Sequence, residues 1–238
     1  MEKQVLDMQS KNKIISIMQP TFLPWLGYFN MIKKSDIFVF FDDVQVTKRS
    51  WQTRNRIKTS SGEHFITIPV KKGNSRSLIK DCEICIDEKW KDKFFKTLHN
   101  SYIKSEHYQS EIDFIKKIFL KDNKKLSDFN SHIIKSICER LEIKTKFIFS
   151  SDLNSQGTKD EYLSLICKEL NGDQYLSAQG SKQYIETGRN FFSEQQINVT
   201  YNEYKHPQYK QLYGDFVSHL AIIDAIFNIG IKNIKDII

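Results

Sequence analysis

Residues 14–56 read IISIMQPTFLPWLGYFNMIKKSDIFVFFDDVQVTKRSWQTRNR, and this stretch decides the fold. An apolar run at 14–18 stops at the polar pair Gln19-Pro20. A segment punctuated by Pro24 and Gly27 then leads into a helix expected over 25–34. A second apolar run, 37–41, breaks off at Asp42-Asp43-Val44-Gln45. Short, uniformly apolar runs of this kind suit strands buried on both faces of a parallel sheet. Strand, loop, helix, strand is therefore the opening unit of an α/β fold. Both strands deliver polar residues at their C-terminal ends, the edge where open parallel sheets bind ligands. A core alone has no need of Gln, two Asp, Asn and Arg gathered there.

The remainder supports an open, mainly parallel sheet with flanking helices and a helical middle segment. HFITIPV alternates as a strand does, 50–56 reads as irregular or short helical, and 78–86 reads as a strand. The segment 71–77 is expected to be a turn or mobile loop. From 88 to about 141 the apolar period becomes helical, with Phe94, Leu98 and Tyr102, then Ile112, Ile115 and Phe119, then Ile133, Ile137 and Leu141. Strands are expected over 144–151, 173–177 and 199–204. Helices are expected over 158–170, 182–188 and 216–228. Thr158 with Glu161 three residues on resembles a capping box, with Gly172 as the stop. No repeat divides the chain. Residues 13–238 are read as one α/β domain with a helical insertion at about 88–141, behind a flexible tail at 1–12.

Composition narrows the functional classes. Of 238 residues 39% are hydrophobic and 13% aromatic, which favours a packed globular chain over a disordered one. No apolar run approaches the ~20 residues of a membrane-spanning helix. The first twelve residues, MEKQVLDMQSKN, contain no apolar secretory core, so a cytoplasmic location is expected. Cys82 and Cys85 form one C-x-x-C without a second, so zinc is not expected and no metal ligands are assigned. The net charge is +7, much of it lysine on helix faces. Without a helix-turn-helix, RNP or zinc-finger pattern, nucleic acid is not an expected partner, nor is membrane insertion.

The candidate site residues follow from side-chain chemistry. Gln19 to Pro24 form a proline-stiffened loop able to cup a ligand at a helix N-terminus, where free N–H groups favour anions. Asp42 or Asp43 could serve as base for an amine nucleophile or hold Mg2+, the other capping a turn or pairing with Lys48 or Arg49. Gln45 and Asn55 offer paired donors and acceptors for sugar hydroxyls, and Arg56 a fork for phosphate or carboxylate. Trp25, Tyr28, Trp51 and Tyr209 are candidate stacking platforms. His206 is a candidate proton shuttle, ligand contact or structural hydrogen-bond partner. Gly180, in SAQGS, would admit close backbone approach. Asp224, in the apolar AIIDAIFN, must meet a partner, with Arg56 or Lys210 as candidates. The other histidines, His219 among them, read as structural.

QPTFLPWLGYF, DDVQ, NRIK, HPQYKQ and IIDAIFNIG together resemble the WbqC-like family, over nearly the whole chain from about Lys13. Asn55, Arg56, His206, Pro207, Tyr209, Gln211 and the small-residue loop at Gly180 fall on that pattern. The resemblance implies a place among proteins of O-antigen and surface-polysaccharide gene clusters. The reaction is our own inference from the side chains: with a carboxylate base, amides for hydroxyls, and Arg and Lys for a diphosphate, we expect an enzyme that transfers an acyl or aminoacyl group to the amino group of a nucleotide-linked amino sugar. Asp42 or Asp43 would be the base, assisted by His206, with Gln19, Pro24, Tyr28, Gln45, Asn55, Arg56, Gly180, Tyr209 and Gln211 around the substrate. The cofactor would be an acyl donor, or an amino acid activated with ATP and Mg2+. A rival is a nucleotidylyltransferase-like or ATP-dependent ligase. Gly27-Tyr28 stands where such enzymes carry Gly-His, and the first His of their H-x-G-H is missing, which counts against it. A non-catalytic nucleotide-sugar or glycan binder is the other alternative.

Overall fold

The computed structural model of the protein describes residues 13–47, 49–71, 77–187, 189 and 191–238. The tail expected at 1–12, most of the loop at 71–77, Lys48 and Gly188 lie outside them. The chain builds β1 (Ile14–Met18), α1 (Leu26–Lys33), β2 (Ile37–Phe40), β3 (Arg54–Thr59), β4 (Gly62–Thr67), α2 (Glu88–Tyr102), α3 (Tyr108–Ile118), α4 (Leu126–Arg140), β5 (Lys146–Phe149), α5 (Lys159–Glu169), β6 (Gln174–Ala178), α6 (Lys182–Thr187), α7 (Phe191–Glu194), β7 (Asn198–Asn202) and α8 (Ile222–Ile237).

Five strands form one parallel sheet in the order β5-β2-β1-β6-β7, flanked by helices, so the fold is α/β as expected. Alternation along the central strands divides two apolar layers. Ile15, Ile17, Ile37 and Val39 face one core with residues of α5, α6 and α7. Phe38 and Phe40 face the larger core, filled by α1, the helical block α2–α4 and α8. The block at 88–141 thus shares the core of one sheet face.

Four local expectations give way. The stretch 50–56 is irregular only as far as Thr53: from Arg54 the chain is strand, Asn55 and Ile57 turn inward, and β3 pairs antiparallel with β4 as a separate hairpin. A polar Asn55 at an inward position and a buried Lys58 hid that period. Residues 78–86 form no continuous strand. Their N–H groups are shared between partners, Ile79 with Val44 and Lys80 with Asp42, then Cys85 with Pro69, leaving only isolated bridges. Thr158 is the N-cap of α5, but its side chain makes no capping hydrogen bond, and Lys159 beside it is left-handed (φ 55°). At the far end Asn171 (φ 53°) takes the left-handed position, Gly172 N–H returns to Cys167 O, and the glycine is needed because a Cβ there would lie 2.3 Å from Ile15 Cγ1.

The last helix starts later than expected. Tyr213, Gly214 and His219 all have positive φ, which excludes helix before Ala221. Gly230 (φ 77°) does break α8, as a stop should, but the helix resumes after it. Ile231 N–H is received by Glu111 Oε1 at 3.4 Å, and a side chain at 230 would meet His107 at 2.8 Å. No helix of the described residues is long and apolar enough to cross a membrane.

Candidate functional site

The loop after β1 is laced from four directions. Gln19 O accepts from Tyr28 Oη (3.0 Å), and Pro20 O from Asn130 Nδ2 (2.9 Å). Phe22 O and Leu23 O both accept from Asn55 Nδ2 (3.0 and 2.8 Å). Pro24 O accepts from Ile222 N–H at the start of α8, and Phe22 N–H donates to Trp51 O. Two prolines cannot supply N–H donors, so the loop is fixed through its carbonyls. This holds Leu23 at φ 45°, a left-handed conformation for a buried branched residue immediately before a proline. Phe22 anchors the loop tip beneath Phe94, Phe119 and Phe129, with ring centroids 6.3–6.4 Å away.

That loop walls a cavity of about 260 Å³, with Met18 of β1, Thr21, Pro24, Trp25 and Tyr28 on one side. Trp51, Asn55, Arg56 and His219 close the other. Met18 sets the cavity at the C-terminal end of β1, the strand beside which the winding reverses, although no residue of β6 lines it. β1 is followed by β2 on one side and β6 by β7 on the other, so the winding reverses between β1 and β6. Ligands of doubly wound sheets enter beyond the strand C-termini at such a point. Trp25 lies across the first turn of α1, where a Cβ on Gly27 would sit 2.1 Å from its ring. Gly27 is therefore a glycine for the tryptophan's sake. Gly27→Ala is expected to displace Trp25, lower stability by about 1–3 kcal/mol and alter the indole fluorescence; an unchanged emission spectrum and melting temperature would sink this assignment.

Behind Trp25 stands His206, stacked on it at 5.9 Å and 11°, with His219 at 5.0 Å from His206 and 4.6 Å from Trp25. His206 Nδ1 lies 2.9 Å from Pro207 O; a carbonyl only accepts, so Nδ1 carries the proton and Nε2 is the free lone pair. Burial lowers the pKa of both histidines; His219 beside His206 adds to the effect there, and Arg56 adds to it at His219. Both imidazoles are thus held toward the neutral, proton-accepting form. His219 is also left-handed at φ 59°. Arg56 reaches Glu63 at 2.5 Å and packs over Trp51 at 5.6 Å.

Asp42 and Asp43 lie just beyond β2, where the strand has ended and both can turn toward one cluster. Asp42 is buried and accepts from Ser127 Oγ (3.1 Å), Ser151 Oγ (3.2 Å) and Ser151 N–H (3.2 Å). Asp43 accepts from Ser150 Oγ at 2.5 Å and from Tyr162 Oη. Burial raises the Asp42 pKa, against its hydroxyl and amide partners and with Asp43 adding to the rise. Burial and Asp43 push the Tyr162 hydroxyl up as well. Among the described residues no cation pairs with either carboxylate, and no group of His, Cys, Asp and Glu is arranged to hold a metal. The cluster ties the ends of β2 and β5 together; neither Asp lines the cavity.

The other sequence candidates are dispersed. Tyr209 Oη and Gln211 Nε2 both donate to Asp224 Oδ2 at 2.8 Å, and Tyr102 Oη donates to Oδ1 at 2.8 Å. The partner of Asp224 is thus a set of hydroxyl and amide donors and not Arg56 or Lys210. Gln19 is held through its side chain by Gln52 Nε2 (2.7 Å). Gln45 is exposed in an isolated bridge with Leu78. Gly180 is exposed beyond β6, with open space where a Cβ would be. Sequence reasoning brought Pro24, Tyr28, Asn55 and Arg56 to the cavity together with Trp25 and Trp51. The loop it singled out, Gln19 to Pro24, also brings Thr21 to the wall. It missed Met18, read only as the end of an apolar strand, and His219 with the clamps Gln52 and Asn130, which lie far along the chain from 19–28 with nothing in their local sequence to mark them.

Comparison with known proteins covers the same ground. The WbqC-like protein family matches residues 19–236. The uncharacterized protein Rv1507c of Mycobacterium tuberculosis (strain ATCC 25618 / H37Rv) is 35% identical over 222 residues, covering 92% of this chain and 94% of that protein. No solved structure matches. The family match takes in the laced loop, the cavity wall from Thr21 to His219 and α8 through residue 236, and this chain belongs to the WbqC-like protein family.

Proposed function

We propose that the chain is a cytoplasmic enzyme of surface-polysaccharide biosynthesis that acylates or aminoacylates the amino group of a nucleotide-linked amino sugar. The observation that carries this reading is the cavity at the winding reversal, with Trp25 and Trp51 in its walls and neutral-leaning His219 at its side. Its ~260 Å³ lies just below the range of pockets that enclose drug-sized ligands, which suits a single sugar ring. Indole faces bind the apolar faces of sugars. An amine attacks only when deprotonated, so a neutral imidazole beside it is the fitting base. The amine nitrogen would bond to the donor's acyl carbon, the thiol or AMP would leave, and the amine proton would pass to His219, with His206 behind Trp25 as a second imidazole. We assign the base to His219 over Asp42 and Asp43, whose carboxylates are already occupied by hydroxyls.

The test is to incubate the protein with a panel of nucleotide-linked amino sugars and follow product mass. One set receives acyl-CoA donors, the other amino acids with ATP and Mg2+. A mass gain in one set is expected, reduced about 100-fold or more in His219→Gln and retained in Asp43→Asn. Loss in Asp43→Asn with retention in His219→Gln would return the base to the carboxylate pair. No gain in either set, with saturable heat on titration, would make this a binding protein.

A further inference from the structure

We propose that the surface formed by Trp51, Phe65, Arg54 and Arg56 is a subsite for the base and diphosphate of a nucleoside diphosphate, continuous with the cavity. This inference rests on the reading above and extends it outward from the sugar. Trp51 and Phe65 are half exposed, at 50% and 44%, although each would stabilise the fold more by burial. Their rings pair at 6.3 Å and 29°, a near-parallel platform. The Arg54 guanidinium lies 4.4 Å from the Phe65 ring and that of Arg56 5.6 Å from Trp51.

Strand geometry explains the arrangement. Arg54 and Arg56 are two apart on β3 and share a face, and Phe65 stands opposite Arg56 in the hairpin register. Both guanidinium Nε atoms are buried without a hydrogen-bond partner, so a phosphate would meet the outer Nη groups; Arg56 Nη2 lies 3.5 Å from His219 O, and Arg54 has no ion pair among the described residues. Glu63 already engages Arg56, so Arg54 is the uncompensated cation and a phosphate would compete with Glu63 for the second fork. The segment 48–56, KRSWQTRNR, carries four cations and no acid. Guanidinium forks bind phosphate oxygens in pairs, and aromatic faces take bases irrespective of identity. Trp51 and Arg56 also line the cavity, so a diphosphate held here would direct its sugar inward.

The experiment titrates the full chain with UDP and with uridine, at low and at physiological salt, alongside ADP, GDP and CDP. UDP is expected to bind at least about tenfold more tightly than uridine, with a gap that narrows as salt rises. Arg54→Ala should remove most of that gap and Arg54→Lys part of it, while Trp51→Ala weakens both probes alike. Equal binding of UDP and uridine by the wild type overturns the proposal without any variant. So does a full gap in a folded Arg54→Ala, no binding of any diphosphate, or tighter binding of an oligothymidylate than of UDP. The transfer assay fails separately: bound UDP without acylated product leaves the subsite and removes the reaction. Acylated product with an unchanged KM for the nucleotide sugar in Arg54→Ala does the reverse.

Discussion

Asp224→Ala is expected to lower stability by about 3–5 kcal/mol, the largest effect of any single substitution considered. The carboxylate is fully buried in the first turn of α8 and receives Tyr102, Tyr209 and Gln211. Removing it leaves the buried Tyr102 hydroxyl and the half-buried Tyr209 and Gln211 donors without this acceptor and opens a void between α2 and α8. Burial raises the pKa of Asp224 in spite of those donors. The folded chain therefore holds that proton more tightly than the unfolded one. The associated stability is fully present below the unfolded carboxylate pKa of ~3.9 and declines as pH rises through the higher folded value. Urea unfolding at a series of pH values checks both points. The gap between wild type and variant should be widest at the acid end, and a gap under about 1 kcal/mol throughout would mean the network is dispensable.

Asn55→Ala is expected to cost about 2–4 kcal/mol and to weaken ligand binding as well. Both amide hydrogens of Asn55 are spent on Phe22 O and Leu23 O, and its Oδ1 takes Arg56 N–H at 2.8 Å. Its side chain has little left to offer a sugar hydroxyl. Its effect on binding should come from releasing Leu23 from its left-handed conformation, which lets Pro24 and Trp25 drift from the cavity wall. Asn55→Asp, which keeps the shape but places acceptor against acceptor, should be equally damaging. Calorimetric titration beside thermal unfolding separates the two effects: normal stability with lost affinity would make Asn55 a direct ligand contact after all.

The parallel sheet was legible because β1 and β2 are covered on both faces and so are apolar at nearly every position. The helical block was legible because Phe94, Leu98, Ile133 and Ile137 recur at the spacing of one buried helix face. Of the hairpin only β4 was legible, in HFITIPV; β3 was not, since its inward positions include the polar Asn55 and its basic Lys58 is also buried, which leaves no apolar alternation to read. The site was legible only where its residues lie close together in the chain. Gln19 and Asn55 drew notice for their amide groups, but the Gln19 amide oxygen accepts from Gln52 and the Asn55 amide clamps the backbone. Tyr209 and Gln211 drew notice beside His206, yet their polar groups answer Asp224. His219 had no signal of its own; a left-handed backbone and the approach of β3 bring it to the cavity, and both are tertiary facts.

The position of β1 in the middle of the sheet has a kinetic consequence. Its Ser16 Oγ donates to Leu176 O, 160 positions later, and Asn202 reaches back across 175 positions to Gly27. Closing loops of that length precedes any reward from the contacts, so folding dominated by such pairings is slow. The loop over 19–24 cannot be laced until α8 arrives with Ile222 for Pro24. A ribosome-bound chain would therefore carry β1 and β2 long before it could recognise a ligand, with one flank of β1 open to mispairing in the interval. Ligand-binding competence should emerge as the final event of refolding, after most helical signal has already returned.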